Sequence, residues 1–297
     1  MNRRQMLAGS MSAGVCLAAG RAAWAMTVCV NTPRVVFLNP GEEVERGTGQ
    51  HWQLVSRFMA ATAARFGMQL EVLYAERDHL LMLRQAETVA ARNDPPDYVV
   101  IVNEKMAAQQ MLHALACSPA KVLLIHNDLT DAQRAETGNE RGAIANWIGT
   151  ITADAFQGSF RLMDYLCSQM TLGALAAVRE RRANVVVGGL GALPEAVATV
   201  MRGDLAAIVA GGQFIGACAM VALYDYHHGV DFAQPDGPRM KLDYLTVLYG
   251  DNASRYYKIA FDQSAAPDFS GFSRYRRRAA RYDFNLQVLL DPASKAA

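Results

Sequence analysis

Polar side chains recur at four comparable places in the first half of the chain, each just after a short apolar run. Val35–Leu38 runs into Asn39, and Leu70–Tyr74 into Glu76, Arg77 and Asp78. Tyr98–Val102 runs into Asn103, Glu104 and Lys105, and Val122–Ile125 into Asn127 and Asp128. Amide, carboxylate and guanidinium groups together offer donors and acceptors, so they suit hydrogen bonding to a small neutral polar molecule. His51 and Trp52 add aromatic surface near the first of these places, and Asp154 adds a carboxylate farther on.

Patterns for bond-making chemistry are missing. Gly-Lys-Ser/Thr never occurs, and no serine stands in a Gly-x-Ser-x-Gly elbow. Gly189-Leu190-Gly191 follows an apolar run, but Pro194 stands where a dinucleotide fingerprint carries its third glycine. His227 and His228 are adjacent, which points their rings about 100° apart on a helix and suits a helix end before Gly229 better than a metal. Glu42, Glu43 and Glu45 read as solvated loop carboxylates. The cluster from Arg274 to Arg281, with Tyr275 and Tyr282, reads as an amphipathic helix rather than a docking site for an acidic partner. The expectation is a binding protein and not an enzyme, with no cofactor and no metal.

The elements that must position these residues follow from hydrophobic period. A helical stripe runs from His51 to Phe66 and ends at Gly67; further helices are expected over Leu80–Ala91 and Met106–Ala116. The intervening strands are apolar throughout, the mark of a parallel sheet covered by helices on both faces. In such a sheet the ligand crevice lies beyond the carboxyl ends of the strands, so the four polar loops should gather on one rim. After Asp154 helices are expected over Phe160–Leu166, Thr171–Arg181, Pro194–Met201 and Phe214–Tyr226. Strands are expected over Asn184–Val187 and Ala206–Ala210, each closed by a glycine pair. Lys241–Tyr249 and Tyr256–Phe261 read as two further strands, candidates for a hairpin.

The first 25 residues carry a secretory pattern: Arg3-Arg4, an apolar run of about 15 residues, then Ala23-Trp24-Ala25. The run falls short of the roughly 20 residues that span a bilayer, and the paired arginines resemble a twin-arginine signal. Cleavage after Ala25 and a periplasmic location are expected. Without that segment the net charge moves from +1 to −2, so neither nucleic acid nor a membrane surface is indicated as partner. A hydrophobic share of 52% supplies a core, and the length suggests two domains. Cys29, Cys117, Cys167 and Cys218 form no CxxC pair. A bridge among them and buried thiols both remain open.

Val35–Leu38 with Asn39, His51-Trp52 and Val100–Asn103 resemble the first lobe of the type I periplasmic sugar-binding proteins, the ribose- and galactose-binding kind. Met170–Ala177, Asn184–Gly189, and Leu205–Ala210 with Gly211-Gly212-Gln213-Phe214 resemble parts of the second lobe and hinge. The resemblance runs from about Arg34 to Phe232. It implies an α/β fold of two Rossmann-like parallel-sheet lobes joined by a hinge. The first lobe would take 34–153 with 213–235, the second 154–212, and 236–297 would form C-terminal strands and a tail. It implies sugar hydroxyls held by Asn39, Asn103, Asn127 and Asp154, with His51 or Trp52 stacked on the ring. Glu76, Arg77, Glu104 and Lys105 would be rim contacts, and Gln213 or Phe214 would lie near the hinge. The implied partner is a membrane permease of an ABC transporter or, alternatively, a receptor kinase served by a sensor subunit. Leu190 departs from the family, which carries a polar residue there. The run from Phe160 through Cys167 into Met170 leaves no room for roughly two βα units of the second lobe. The second lobe is therefore expected to be shortened by an internal deletion.

Overall fold

The computed structural model describes residues 32–44, 50–164, 188–190, 193–262 and 267–290. The signal-like segment, Asn184–Val187 and the Cys167–Thr171 junction lie outside the described residues, as does the helix expected over Thr171–Arg181. Among the described residues no helix is long and apolar enough to cross a membrane.

Strands β1 (Arg34–Asn39), β2 (Gln69–Tyr74), β3 (Tyr98–Val102), β4 (Lys121–His126), β5 (Trp147–Ala153) and β8 (Arg239–Leu242) form one sheet. Their order is β2-β1-β3-β4-β5-β8, and every neighbouring pair is parallel. The uniformly apolar strands divide between the faces with the two-residue period of the pleat. Val35, Phe37, Val100 and Leu123 enter the core formed by α1 (His51–Phe66) and α7 (Ile215–His227). Val36, Leu38, Ile101 and Leu124 enter the core formed by α2 (His79–Ala90) and α3 (Ala108–Leu115). Gly216 allows α1 and α7 to meet closely: a Cβ there would stand 2.5 Å from Met59 Cγ and 2.7 Å from Val55 O.

The second sheet is smaller and mixed. β6 (Gly188–Leu190) pairs parallel with β7 (Ala207–Ala210), and β7 pairs antiparallel with β9 (Thr246–Leu248). It is therefore not the all-parallel sheet expected. Residue 155 begins α5, described to residue 164, whose Leu162 packs on Ala207 and Val209. Helices α6 (Pro194–Met201) and α8 (Gly250–Phe261) pack on each other.

Three expectations for the C-terminal part are corrected. Lys241–Tyr249 is not one strand: β8 and β9 join different sheets, and Asp243-Tyr244-Leu245 cross between them. Tyr256–Phe261 lies within α8, because Ala253, Tyr256 and Ala260 bury one face at spacings of three and four residues. The arginine cluster forms only a four-residue helix, α9 (Arg274–Arg277), rather than an amphipathic helix across Arg274–Arg281. Arg274 is buried and donates to the carbonyls of Asp231 and Gln234 at 3.2 and 2.6 Å. Cys117 and Cys218 hold free thiols.

Candidate functional site

The carboxyl ends of β2, β1, β3 and β4 lie side by side, as the strand order requires. Backbone strain concentrates there. Glu76, Arg77, Lys105, Met106 and His126 all have positive φ, between 47° and 73°, and among the described residues Arg141 and Arg278 are the other non-glycine cases. Such conformations cost on the order of 1–3 kcal/mol each, and they cluster where function imposes geometry.

His126 ends β4, and its φ of 73° turns the chain at the rim. Its ring stacks on His51 with centroids 5.0 Å apart, and both rings meet Trp52 edge-on at 4.9 and 5.1 Å. Trp52 is buried, whereas the two imidazoles keep part of their surface open. Burial lowers the His51 pKa to about 4, helped by His126 and by the positive charge of Arg77. Burial also lowers that of His126, against the pull of Glu104. Both rings are neutral near pH 7. Nε2 of His51 is buried and has no hydrogen-bond partner among the described residues, a cost that a ligand hydroxyl would remove.

Beside this trio the Arg77 guanidinium stands 3.6 Å from Glu104, and Lys105 Nζ donates to Arg77 O at 3.2 Å. Glu76 accepts from the backbone N–H of Glu43 at 3.0 Å. His51, Trp52, Glu76, Arg77, Glu104 and Lys105 thus share one rim, joined by His126, which the sequence reading passed over between Ile125 and Asn127. Its signal was the place at the end of a predicted strand; its backward turn is a matter of conformation. Gly212 reaches the same place from the second sheet, since a Cβ on it would lie 3.7 Å from His51 Cε1.

Four residues expected to face a ligand are engaged inside the protein. Asn39 is fully buried; its amide donates to Trp52 O and Ser56 Oγ at 3.1 and 2.7 Å, and its oxygen accepts from Gly41 N–H at 2.7 Å. Asn103 repeats the pattern, donating to Asp128 O and Gln133 Oε1 at 2.8 and 2.9 Å and accepting from Ala108 N–H at 3.1 Å. With both amide hydrogens spent, each asparagine latches a strand end to the following helix. Gln213 donates to Tyr256 Oη at 2.7 Å. Phe214 is 1% exposed and packs on Phe58, Phe269 and Tyr256. Asn127 is exposed at the rim. Asp154 caps α5 by accepting from Gln157 N–H at 3.0 Å, at the crossover from β5. Among the described residues no three metal-binding side chains gather, and His228 Nδ1 instead contacts Tyr224 O at 2.8 Å.

A cavity of about 980 Å³ opens elsewhere, between β8, the crossover after it and the segment 281–286. It includes none of the rim residues named above.

No family model and no curated protein matches the chain. Solved structures do. A periplasmic sugar-binding protein from Pseudomonas fluorescens is 25% identical over 87% of this chain and 99% of its own, with a TM-score of 0.68. A periplasmic solute-binding protein of an ABC transporter from Actinobacillus succinogenes, solved with bound D-allose, is 12% identical over 76% and 100%, with a TM-score of 0.57. An ABC transporter solute-binding protein from Agrobacterium vitis, bound with α-D-tagatopyranose, is 13% identical over 75% and 96%, with a TM-score of 0.53. The chain has the fold of the type I periplasmic solute-binding proteins, as the sequence resemblance implied.

Proposed function

We propose that this chain captures a small uncharged polar ligand, a sugar, at the rim formed by His51, Trp52, Arg77, Glu104 and His126, and that it does so without turnover. The observation that carries the reading is the rim itself. Two neutral imidazoles, one with an unsatisfied buried nitrogen, stand beside an Arg–Glu pair where the parallel strands end. These groups offer donors, acceptors and flat apolar faces, which a pyranose or furanose ring matches. The solved relatives of this fold, which include proteins holding D-allose and tagatose, support the same ligand class.

The second sheet would supply the opposing wall, with β6 and β7 from the shortened lobe of 154–212 and β9 from the C-terminal segment, and closure would occur about the crossovers between the two sheets. Asp154, Gly211-Gly212 and Asp243–Leu245 form those crossovers, so ligand contact at Gly212 or Asp154 would be coupled to the angle between the sheets. Export to the periplasm and delivery to a membrane permease complete the reading.

The test is a thermal-shift screen of the protein lacking residues 1–25 against monosaccharides, followed by titration calorimetry. Ligand at 100 times its Kd should stabilise the fold by about 2.7 kcal/mol. Arg77→Ala should weaken binding by about tenfold or more while changing stability by less than about 0.5 kcal/mol, because its ion pair is half-exposed. If no sugar shifts the melt, or if Arg77→Ala leaves affinity unchanged, the assignment of this rim fails.

A further inference from the structure

Among the described residues strand β8 is the outer strand of the six-stranded sheet and pairs with β5 alone. Thr150 N–H donates to Pro238 O, and Asp154 N–H to Leu242 O, both at 2.8 Å. Successive residues of a strand alternate the direction of their main-chain groups. Met240 and Leu242 therefore face β5, and the N–H and C=O groups of Arg239 and Lys241 face outward. Among the described residues those outward groups have no main-chain partner. A bare edge of this kind is a template for another strand, and proteins usually cover or blunt it.

This edge opens into the cavity of about 980 Å³, whose far wall carries Tyr282, Phe284 and Leu286. The volume lies at the upper end of small-ligand sites. Most charges around it are already matched. Arg161 holds Asp243 through two bonds of 2.8 and 2.6 Å, Arg281 stands 3.1 Å from Asp236, and Arg239 donates to Asp128 at 2.6 Å. Lys241 is exposed at the middle of the edge and makes no ion pair among the described residues.

We infer that this cavity is a second binding site, separate from the rim, which takes an extended peptide segment of a partner protein, with an acidic side chain opposite Lys241, as an added strand along β8. The outward groups repeat every second residue, about 6.6 Å apart. That is the repeat of another extended backbone, which a sugar ring does not possess. Main-chain pairing supplies the hold and side-chain matching the preference, the mode of strand addition. The unmatched ammonium of Lys241 sets the preference for a carboxylate. The site borders the crossover from β8 to β9, so a bound segment touches a connection between the two sheets.

Amide hydrogen exchange on the protein tests this, with a capped five-residue peptide of alternating threonine and valine around a central glutamate as probe. At saturation it should slow exchange of the Arg239 and Lys241 amides by about tenfold or more. The same peptide with lysine in place of glutamate should bind more weakly, and one N-methylated on alternate amides should protect nothing. Lys241→Pro removes one outward N–H at a position where an edge strand tolerates proline, and should abolish the protection. Lys241→Glu keeps that N–H and should transfer the preference to the lysine peptide. No slowing by the glutamate peptide, equal slowing by its N-methylated form, or protection of these amides by a sugar instead would each overturn the inference. Sugar binding at the rim is read separately, by the melt, so the two proposals fail independently.

Discussion

The imidazole of His51 titrates far below its ordinary range because burial, the neighbouring His126 and the positive Arg77 all oppose its charge. Its folded pKa is about 4 against 6.5 when free, so between those values the unfolded chain binds more protons than the folded one. Stability must then rise with pH across that window and be lost as pH falls through it. The His51 contribution alone makes the protein about 2 kcal/mol less stable at pH 5 than at pH 7, and His126 acts in the same direction. Urea denaturation at the two pH values should show the loss in the wild type and a smaller one in His51→Asn. Identical pH slopes would mean that the ring is not held neutral by its surroundings. Residue types were a good guide to where polar side chains gather and a poor guide to which of them are free. Asn39 and Asn103 look like ligands for a hydroxyl, yet their hydrogen bonds are consumed in holding strand ends in place.

At the scale of elements, the C-terminal segment is fastened by one buried carboxylate. Asp225 on α7 accepts from Ser273 Oγ at 2.5 Å, from the backbone N–H of Arg274 at 2.7 Å and of Tyr275 at 3.3 Å, and from Tyr282 Oη at 3.0 Å. Asp225→Ala would leave several buried donors unsatisfied and should cost about 3 kcal/mol or more, with early exchange of the amides in 269–286 as the local sign. Full protection of that segment in the variant would show that hydrophobic packing of Phe269, Phe272 and Phe284 holds it without the carboxylate. No local pattern announces this fastening, because 48 residues separate Asp225 from Ser273. The βα units before Asp154 were legible for the opposite reason: their strands are apolar on both faces and their helices carry a regular stripe, so local period and tertiary place coincide. The Tyr256–Phe261 run misled because six residues rich in aromatic and branched side chains fit either period, and only the buried Ala253–Tyr256–Ala260 face decides for a helix.

For the whole molecule, the proposed ligand acts by making contacts to both sheets only when they approach, so it raises the population of the closed form. Small-angle scattering should show a smaller radius of gyration on addition of the sugar that stabilises the melt, and Arg77→Ala should shift the sugar concentration needed. An unchanged scattering profile at saturating sugar would mean that the rim binds without closure. The second crossover runs through Gly211 at φ 113°, where a Cβ would stand 3.0 Å from Leu286 Cδ1, and Gly212 beside His51, so this connection requires a residue without a side chain at Gly211.

The sequence by itself determined the parallel α/β character, the order of its first seven strands and α-helices and the gathering of polar residues at strand ends, because each depends on period and punctuation within a few residues. Tertiary structure alone decided three things: that His126 turns back onto His51, that β8 and β9 part into different sheets, and that an outer edge is left facing a cavity. Each of these is a relation between residues far apart in the chain, fixed by which surfaces can be buried together and which main-chain groups are left without a neighbour.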